Sequence, residues 1–438
     1  MGGSTVSLAK MAVRWGVTHA MPRAALRRAA DTGDLQARLF TESAETPTLD
    51  LTGLFDEIHA RGPIIRGKYS YLVSHHSVVR DVLTSQDVRA GVDNADGVLG
   101  RLGTWSVSNH LHPVEPPSLL ATEPPEHTRY RKLVTRVFTA RAVENLRTRT
   151  EEIAADLLDA LEQRARAGEE VDLVQAYCSL LPVTVIAEIL GVPDHERHKV
   201  LTLGTAAAPS LDLGMPWRQF RDTDRALGEF DAWLGDHLAA LKENPGDNLL
   251  SKLVAAREDG VGLNDKELRA TAGLVLAAGF ETTVNLLGNG IALLREHPEQ
   301  LDKVRQDPSL WAGTVDEVLR FDPPVLLTGR TTVRDTEIAG KPVRAGSLVT
   351  TLLAGANRDP GVFDDPHTFD VTRPNAREHI AFSSGRHYCL GAALARMEGE
   401  IGLRALFDRF PDLSLRPGAA HRPTRILRGY EKLPARLT

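Results

Sequence analysis

Cys389 is one of two cysteines in the chain, and its neighbours are suited to chemistry. The segment Phe382-Ser383-Ser384-Gly385-Arg386-His387-Tyr388-Cys389-Leu390-Gly391 reads as a turn feeding a helix that starts near the cysteine and ends before Pro411. A helix N-terminus carries partial positive charge and unpaired N–H groups, which favour a thiolate. A thiolate can hold haem iron and push electron density toward O–O cleavage. Gly385 allows a tight turn, and Gly391 leaves a flat, side-chain-free surface. Arg386 and His387 are placed to meet anionic groups. Taken alone, these residues fit a buried structural cysteine in a glycine-containing loop as well. Cys178, in an apolar helical pattern beside Leu180 and Leu181, reads as core.

Three further constellations could serve such a centre. Ala278-Gly279-Phe280-Glu281-Thr282-Thr283 lies mid-way along a long helical pattern, where a glycine and two threonines are poor choices. Thr282 can hydrogen-bond back to the Ala278 carbonyl, loosening the ladder and opening a groove; the alternative is a helix contact packed with small residues. Glu317-Val-Leu-Arg320 puts a carboxylate and a guanidinium on one helical face, a spacing repeated by Glu126/Arg129 and Glu144/Arg147 and usually a solvated pair. His127 and Arg131 share a face one turn apart after Pro124-Pro125-Glu126, although Arg129, Lys132 and Arg136 make an ordinary basic surface an equal reading.

The cysteine segment resembles the haem-binding loop of the cytochrome P-450 family, with Phe382, Gly385, a basic residue, Cys389 and Gly391 in the family's places. Ser383 departs from it, standing where many bacterial members carry glycine. The resemblance extends from about Pro124 to Gly391. It implies a mainly α fold, a triangular prism of helices with small β-sheets, and haem b (iron protoporphyrin IX) held by Cys389. It also implies a monooxygenase that inserts one oxygen atom from O2 into a hydrophobic small molecule. Glu281 and Thr282 match the family's proton-relaying acid–alcohol pair, and Ala278 would sit beside the haem. His127 and Arg131 would hold one haem propionate, Arg330 with His387 the other. Arg373 would complete a buried network with Glu317 and Arg320. A peroxide-driven peroxygenase or decarboxylase on the same fold is an alternative, but those relatives usually replace the acid–alcohol pair. A non-catalytic haem sensor is another.

These side chains need elements to position them. Asn264 as N-cap with Glu267 as its capping-box partner opens a helix over 265–296, about 48 Å long at 1.5 Å per residue. Helical patterns also cover Arg23–Leu39, Pro124–Gly168, Leu173–Gly191, Trp217–Leu241, Leu249–Glu258 and Leu310–Phe321. Ile64–Ile65, Tyr69–Val73 and 325–353 read as β. Residues 91–125 and 204–216 read as irregular loops, and the resemblance implies that 91–112 and 204–216 roof a pocket with Phe280, Val325, Leu326, Leu327, Ile426 and Leu427 as apolar walls. No repeat or low-complexity linker interrupts the chain, so 1–438 reads as a single domain.

No run of eighteen apolar residues and no secretory cleavage signal is present, so a cytoplasmic protein without a membrane span is expected. A net charge of −6 argues against general nucleic-acid binding. Residues 126–149 nevertheless carry seven Arg or Lys against two Glu. With Arg386 and Arg396, that surface would suit a separate acidic ferredoxin, itself reduced by a ferredoxin reductase.

Overall fold

The computed structural model describes residues 2–46, 50–91, 98–107, 110–257 and 260–437. Helices dominate, and the longest, Asp265–Glu296, is the central helix. Asn264 accepts from the Glu267 N–H and Glu267 from the Asn264 N–H, which is the capping box expected of that sequence. The central helix has the length and apolar content of a membrane span, but most of that stretch is buried inside the molecule. Its neighbours approach closely where glycine leaves room. A Cβ at Gly402 would stand 2.8 Å from Leu287 and one at Gly399 3.0 Å from Leu286. Both glycines belong to the helix Ala392–Arg409, so this helix is locked lengthwise against the central one.

A five-stranded mixed sheet forms one side, in the order Ile65–Arg66, Tyr71–Val73, Leu348–Leu352, Leu327–Thr332, Val88–Ala90. Its register sets Arg330 between Val349 and Ala90. The main apolar core joins the central helix to Leu180–Leu190, Trp217–Glu243 and Trp311–Phe321, while two smaller cores lie on the sheet.

Several expected elements are divided. Arg23–Leu39 is two helices, Met21–Ala30 and Leu35–Glu45, because Gly33 takes a φ of +83° and Asp34 caps the second by accepting from the Ala37 N–H. Pro124–Gly168 is likewise broken into Glu126–Val137, Ala140–Glu144 and Arg147–Arg166, with Thr139 as the cap between. The 204–216 segment is less irregular than its glycines and prolines suggest. Helix Arg197–Ala207 runs into it, followed by a tight turn at Ala208–Leu211. Within the described part of 91–125, Val98–Trp105 is helical; residues 92–97 and 108–109 lie outside the described residues.

Candidate functional site

The final long helix begins at Ala392, with Gly391 as its N-cap, so Cys389 precedes the helix rather than opening it. A tight turn at Gly385–His387 delivers the cysteine there, and the Cys389 N–H donates to Phe382 O at 2.9 Å. Gly385 is obligatory on two counts. Its φ is +68°, and a Cβ would stand 2.6 Å from Leu83 O. Burial pushes the Cys389 thiol up, opposed by the Gly391 N–H and the charges of Arg131 and Arg396. Gly391 faces open space, with nothing within 4 Å of where a Cβ would be.

Ser383 occupies the left-handed region at φ +62°, and its buried hydroxyl has no hydrogen-bond partner among the described residues. Its backbone strain and unmet hydroxyl each cost about 1–2 kcal/mol, and glycine would return about 0.5–1 kcal/mol as unfolded-state entropy. Ser383→Gly is therefore expected to stabilise the protein by about 1–3 kcal/mol, read as a higher thermal midpoint. A lower midpoint would show that the hydroxyl has a use.

Around the loop lies a cluster of cations. His127 is buried, its ring 4.5 Å from that of His387, and its Nε2 has no partner among the described residues. Burial, His387 and Arg131 lower it to about 4, so it is neutral at pH 7. Arg330, also buried, donates to Gly329 O at 2.8 Å and Thr328 Oγ1 at 3.1 Å, and burial lowers it to about 10. Neither Arg131 nor Arg330 has a carboxylate partner among the described residues. His387 Nε2 instead meets Glu123 Oε1 at 3.0 Å, and Arg386 meets Glu123 Oε2 at 2.8 Å. Burial opposes ionisation of Glu123, but His387, the Ala90 N–H and Arg386 outweigh it and hold the group down to about 2. Arg330 and Arg386 act on Glu123 while Arg131 acts on Cys389, so around the loop three guanidinium groups stand with one carboxylate among the described residues. A haem carries two propionates, so the residues present fit that group, and the orphaned His127 Nε2 would gain a partner from it.

On the central helix, Thr282 Oγ1 donates to Ala278 O at 2.7 Å, the back-bond expected there. Ala278 and Thr282 are half-exposed between buried Ala277, Phe280, Glu281 and Thr283, so their shared face meets open space. Gly279 has a different cause: a Cβ would stand 2.6 Å from Ile186 Cδ1, which makes it a close helix contact. Glu281 is buried, and burial raises it despite Arg422, whose Nε lies 2.9 Å from Glu281 Oε1 as an ion-pair contact without hydrogen-bond alignment. Glu281 Oε2 has no partner among the described residues.

Glu317 and Arg320 form a two-bond fork, Nε–Oε2 and Nη2–Oε1 both 2.7 Å, with neither side chain exposed. Arg320 also donates to the carbonyls of Asn357, Pro366 and Thr368. Arg373 reaches Glu317 at 3.2 Å and donates to the carbonyls of Asp364, Asp365 and Thr368. The adjacent Asp316 escaped sequence reasoning. Buried, it pairs with Arg396 at 2.7 Å, Arg377 at 3.0 Å and His379 at 3.3 Å. Arg396 in turn stacks its guanidinium 4.7 Å over the Phe382 ring. Glu123 and Arg422 were missed as well; nothing local in sequence connects either to its partner.

Two expectations need correction. Arg386 and Arg396 are bound to Glu123 and Asp316, so they do not extend a free basic surface. Along 126–149, Arg129 pairs with Glu267, Arg147 with Glu144 and Glu400, and Arg149 with Glu152 and Glu188. The pocket walls also differ: Phe280, Leu326, Leu327 and Leu427 are core, while Val325 and Ile426 stay half-exposed. A cavity does open between Leu227 and Phe230 on one helix and Ala277 on the central one, with Leu111, Gly204 and Ala207 at its sides. Both expected roof segments contribute to it. Its lining also includes Asp231 and Arg269, an ion pair at 3.2 Å, so it is not wholly apolar.

A thiol in the turn leading into a helix, with Arg131 and Arg330 nearby and without carboxylate partners among the described residues, suits a haem-thiolate protein. The cytochrome P450 family model matches residues 209–426. The chain is 49% identical over 430 residues to cytochrome P450 140 of Mycobacterium bovis, covering 97% of each. It is 38% identical over 324 residues to the polyketide biosynthesis cytochrome P450 PksS of Bacillus subtilis, covering 73% of this chain and 78% of that one. The solved structure of P450BioI, bound to an acyl carrier protein bearing hexadec-9Z-enoic acid, superposes with a TM-score of 0.80 at 29% identity. That match covers 91% of this chain and all of the other. The chain belongs to the cytochrome P450 family, as a monooxygenase with haem b as its cofactor.

Proposed function

We propose that this monooxygenase, a single domain over 1–438 acting in the cytoplasm, inserts one oxygen atom from O2 into a hydrophobic small molecule of lipid, terpenoid or polyketide type. The observation that carries the reading is the half-exposed Ala278–Thr282 face beside a buried acid. When bound, haem supplies a redox-active iron that activates O2. Cys389 would hold it from the loop side, with Phe382 and Gly391 beside the thiolate. His127 and Arg131 would hold one propionate and Arg330 with His387 the other. The polyketide biosynthesis named for PksS supports the substrate class.

Thr282 Oγ1 spends its proton on Ala278 O, so it presents lone pairs to the open face and accepts a hydrogen bond from a water or O–H there. Burial raises Glu281 toward proton uptake against the pull of Arg422, and its Oε2, unpartnered among the described residues, is the atom at which it would pass a proton on. Thr282→Ala should still consume NAD(P)H through a reductase, yet divert electrons to peroxide. The product-to-peroxide ratio is expected to fall about ten-fold, equivalent to about 1.4 kcal/mol of lost discrimination. Unchanged coupling with a substrate identified by its haem spin-state shift would assign the proton step to another group.

Two electrons would arrive singly from a separate ferredoxin. Lys132, Arg136 and Arg141 are exposed and would meet its acidic surface. Reduction should slow as salt screens that attraction, and Lys132→Glu or Arg136→Glu should slow it further. Salt-independent reduction, indifferent to both reversals, would put the docking site elsewhere.

A further inference from the structure

We propose that Glu123 is a positioning residue that sets both the hold on the cofactor and the potential at which it is reduced, an inference that rests on the haem site proposed above. Glu123 lies just before the helix Glu126–Val137, far in sequence from the loop it grips. It joins three elements. It accepts from the Ala90 N–H at 2.6 Å on the edge strand, from Arg386 at 2.8 Å and from His387 Nε2 at 3.0 Å. Ala90 is in register with Arg330, so the same carboxylate anchors the strand beside one haem-facing cation and the loop bearing another. Arg386 is gripped from its other side by Ser85 O at 2.5 Å, and Gly385 packs on Leu83 O. The loop between Gly385 and Cys389 is therefore seated on Glu123 and on the end of the helix His76–Thr84.

The charge balance gives Glu123 its second role. Without it, Arg131, Arg330 and Arg386 would present three positive charges to a group with two carboxylates. In the ferric state a porphyrin dianion and a thiolate cancel the iron's three charges, so reduction adds one uncompensated negative charge. A half-buried carboxylate nearby opposes that charge and a guanidinium favours it. Removing Glu123 should thus make the cofactor easier to reduce, and removing Arg386 should make it harder. A role confined to shaping the loop does not demand opposite signs.

The test uses the full-length holoprotein with Glu123→Gln, Glu123→Asp and Arg386→Gln. The reduced CO spectrum is recorded first; a thiolate-type band in all three shows that the haem site stands whatever else follows. Spectroelectrochemical titration should then give a midpoint potential raised in Glu123→Gln, close to wild type in Glu123→Asp and lowered in Arg386→Gln. Haem transfer to an acceptor globin should be at least about ten-fold faster from Glu123→Gln, the usual size of a lost outer-shell anchor. An unmoved potential in Glu123→Gln, or shifts of the same sign in Glu123→Gln and Arg386→Gln, would overturn the proposal. Equal shifts in Glu123→Gln and Glu123→Asp would also overturn it, because they report shape rather than charge.

Discussion

Replacing Cys389 by serine is expected to abolish the strongly red-shifted Soret band of the reduced CO complex, while Cys178→Ser retains it. The two thiols differ in surroundings rather than in kind. Cys178 is fully buried at the junction of Val174–Cys178 and Leu180–Leu190, and burial drives its thiol so far up that no thiolate forms. Its role is packing, where serine buries one hydroxyl at a cost of about 1–3 kcal/mol. Cys389 receives the Gly391 N–H and the fields of Arg131 and Arg396, each of which favours the anion. A serine there can receive the same N–H but is a far weaker acid and a harder ligand, so the electron-releasing bond behind the spectral shift is lost. Haem content should fall less steeply than the band, because the basic cluster is untouched. The reverse pattern, with Cys178→Ser losing the band, would sink the assignment of the ligand.

What the sequence made legible was whatever is encoded within one or two turns. The capping box of Asn264 and Glu267, the Thr282 back-bond and the Glu317–Arg320 fork each join residues three or four apart, and each is found as expected. Apolar periodicity can mask a local signal: Asp31-Thr32-Gly33-Asp34 holds both a helix stop and a new cap between two stretches whose pattern reads as one helix. At Gly279 the second of the two readings holds: its room is needed by Ile186, so it is a helix contact rather than a device of the groove. The long-range carboxylates were out of reach in principle. Glu123, Asp316 and the Glu281–Arg422 pair are set by tertiary packing, so no spacing rule connects them. They also changed the reading of surface charge, since Arg386 and Arg396 counted as free basic residues only while their partners were unknown.

The Glu317–Arg320 fork should be the most expensive interaction to break. Neither side chain is exposed, so removing one partner strands the other's charge away from water, which typically costs about 3–5 kcal/mol. That is a large part of a usual stability of about 5–15 kcal/mol. The two partners are not equivalent. With Arg320 gone, Glu317 Oε1 keeps Arg373 and the Asp370 N–H, but the carbonyls of Asn357, Pro366 and Thr368 each lose a donor. With Glu317 neutralised, two guanidinium groups share a pocket without a counter-charge. Glu317→Gln, although nearly isosteric, is therefore expected to destabilise at least as much as Arg320→Ala. Arg320→Lys should rescue little, because one ammonium cannot span a two-bond fork and three carbonyls at once. All three variants should lose soluble, haem-loaded protein, and denaturant melts of whatever remains should show the loss directly. An Arg320→Lys protein as stable as the parent would mean that charge alone, and not the geometry of the fork, holds the coil between Asn357 and Arg373 in place.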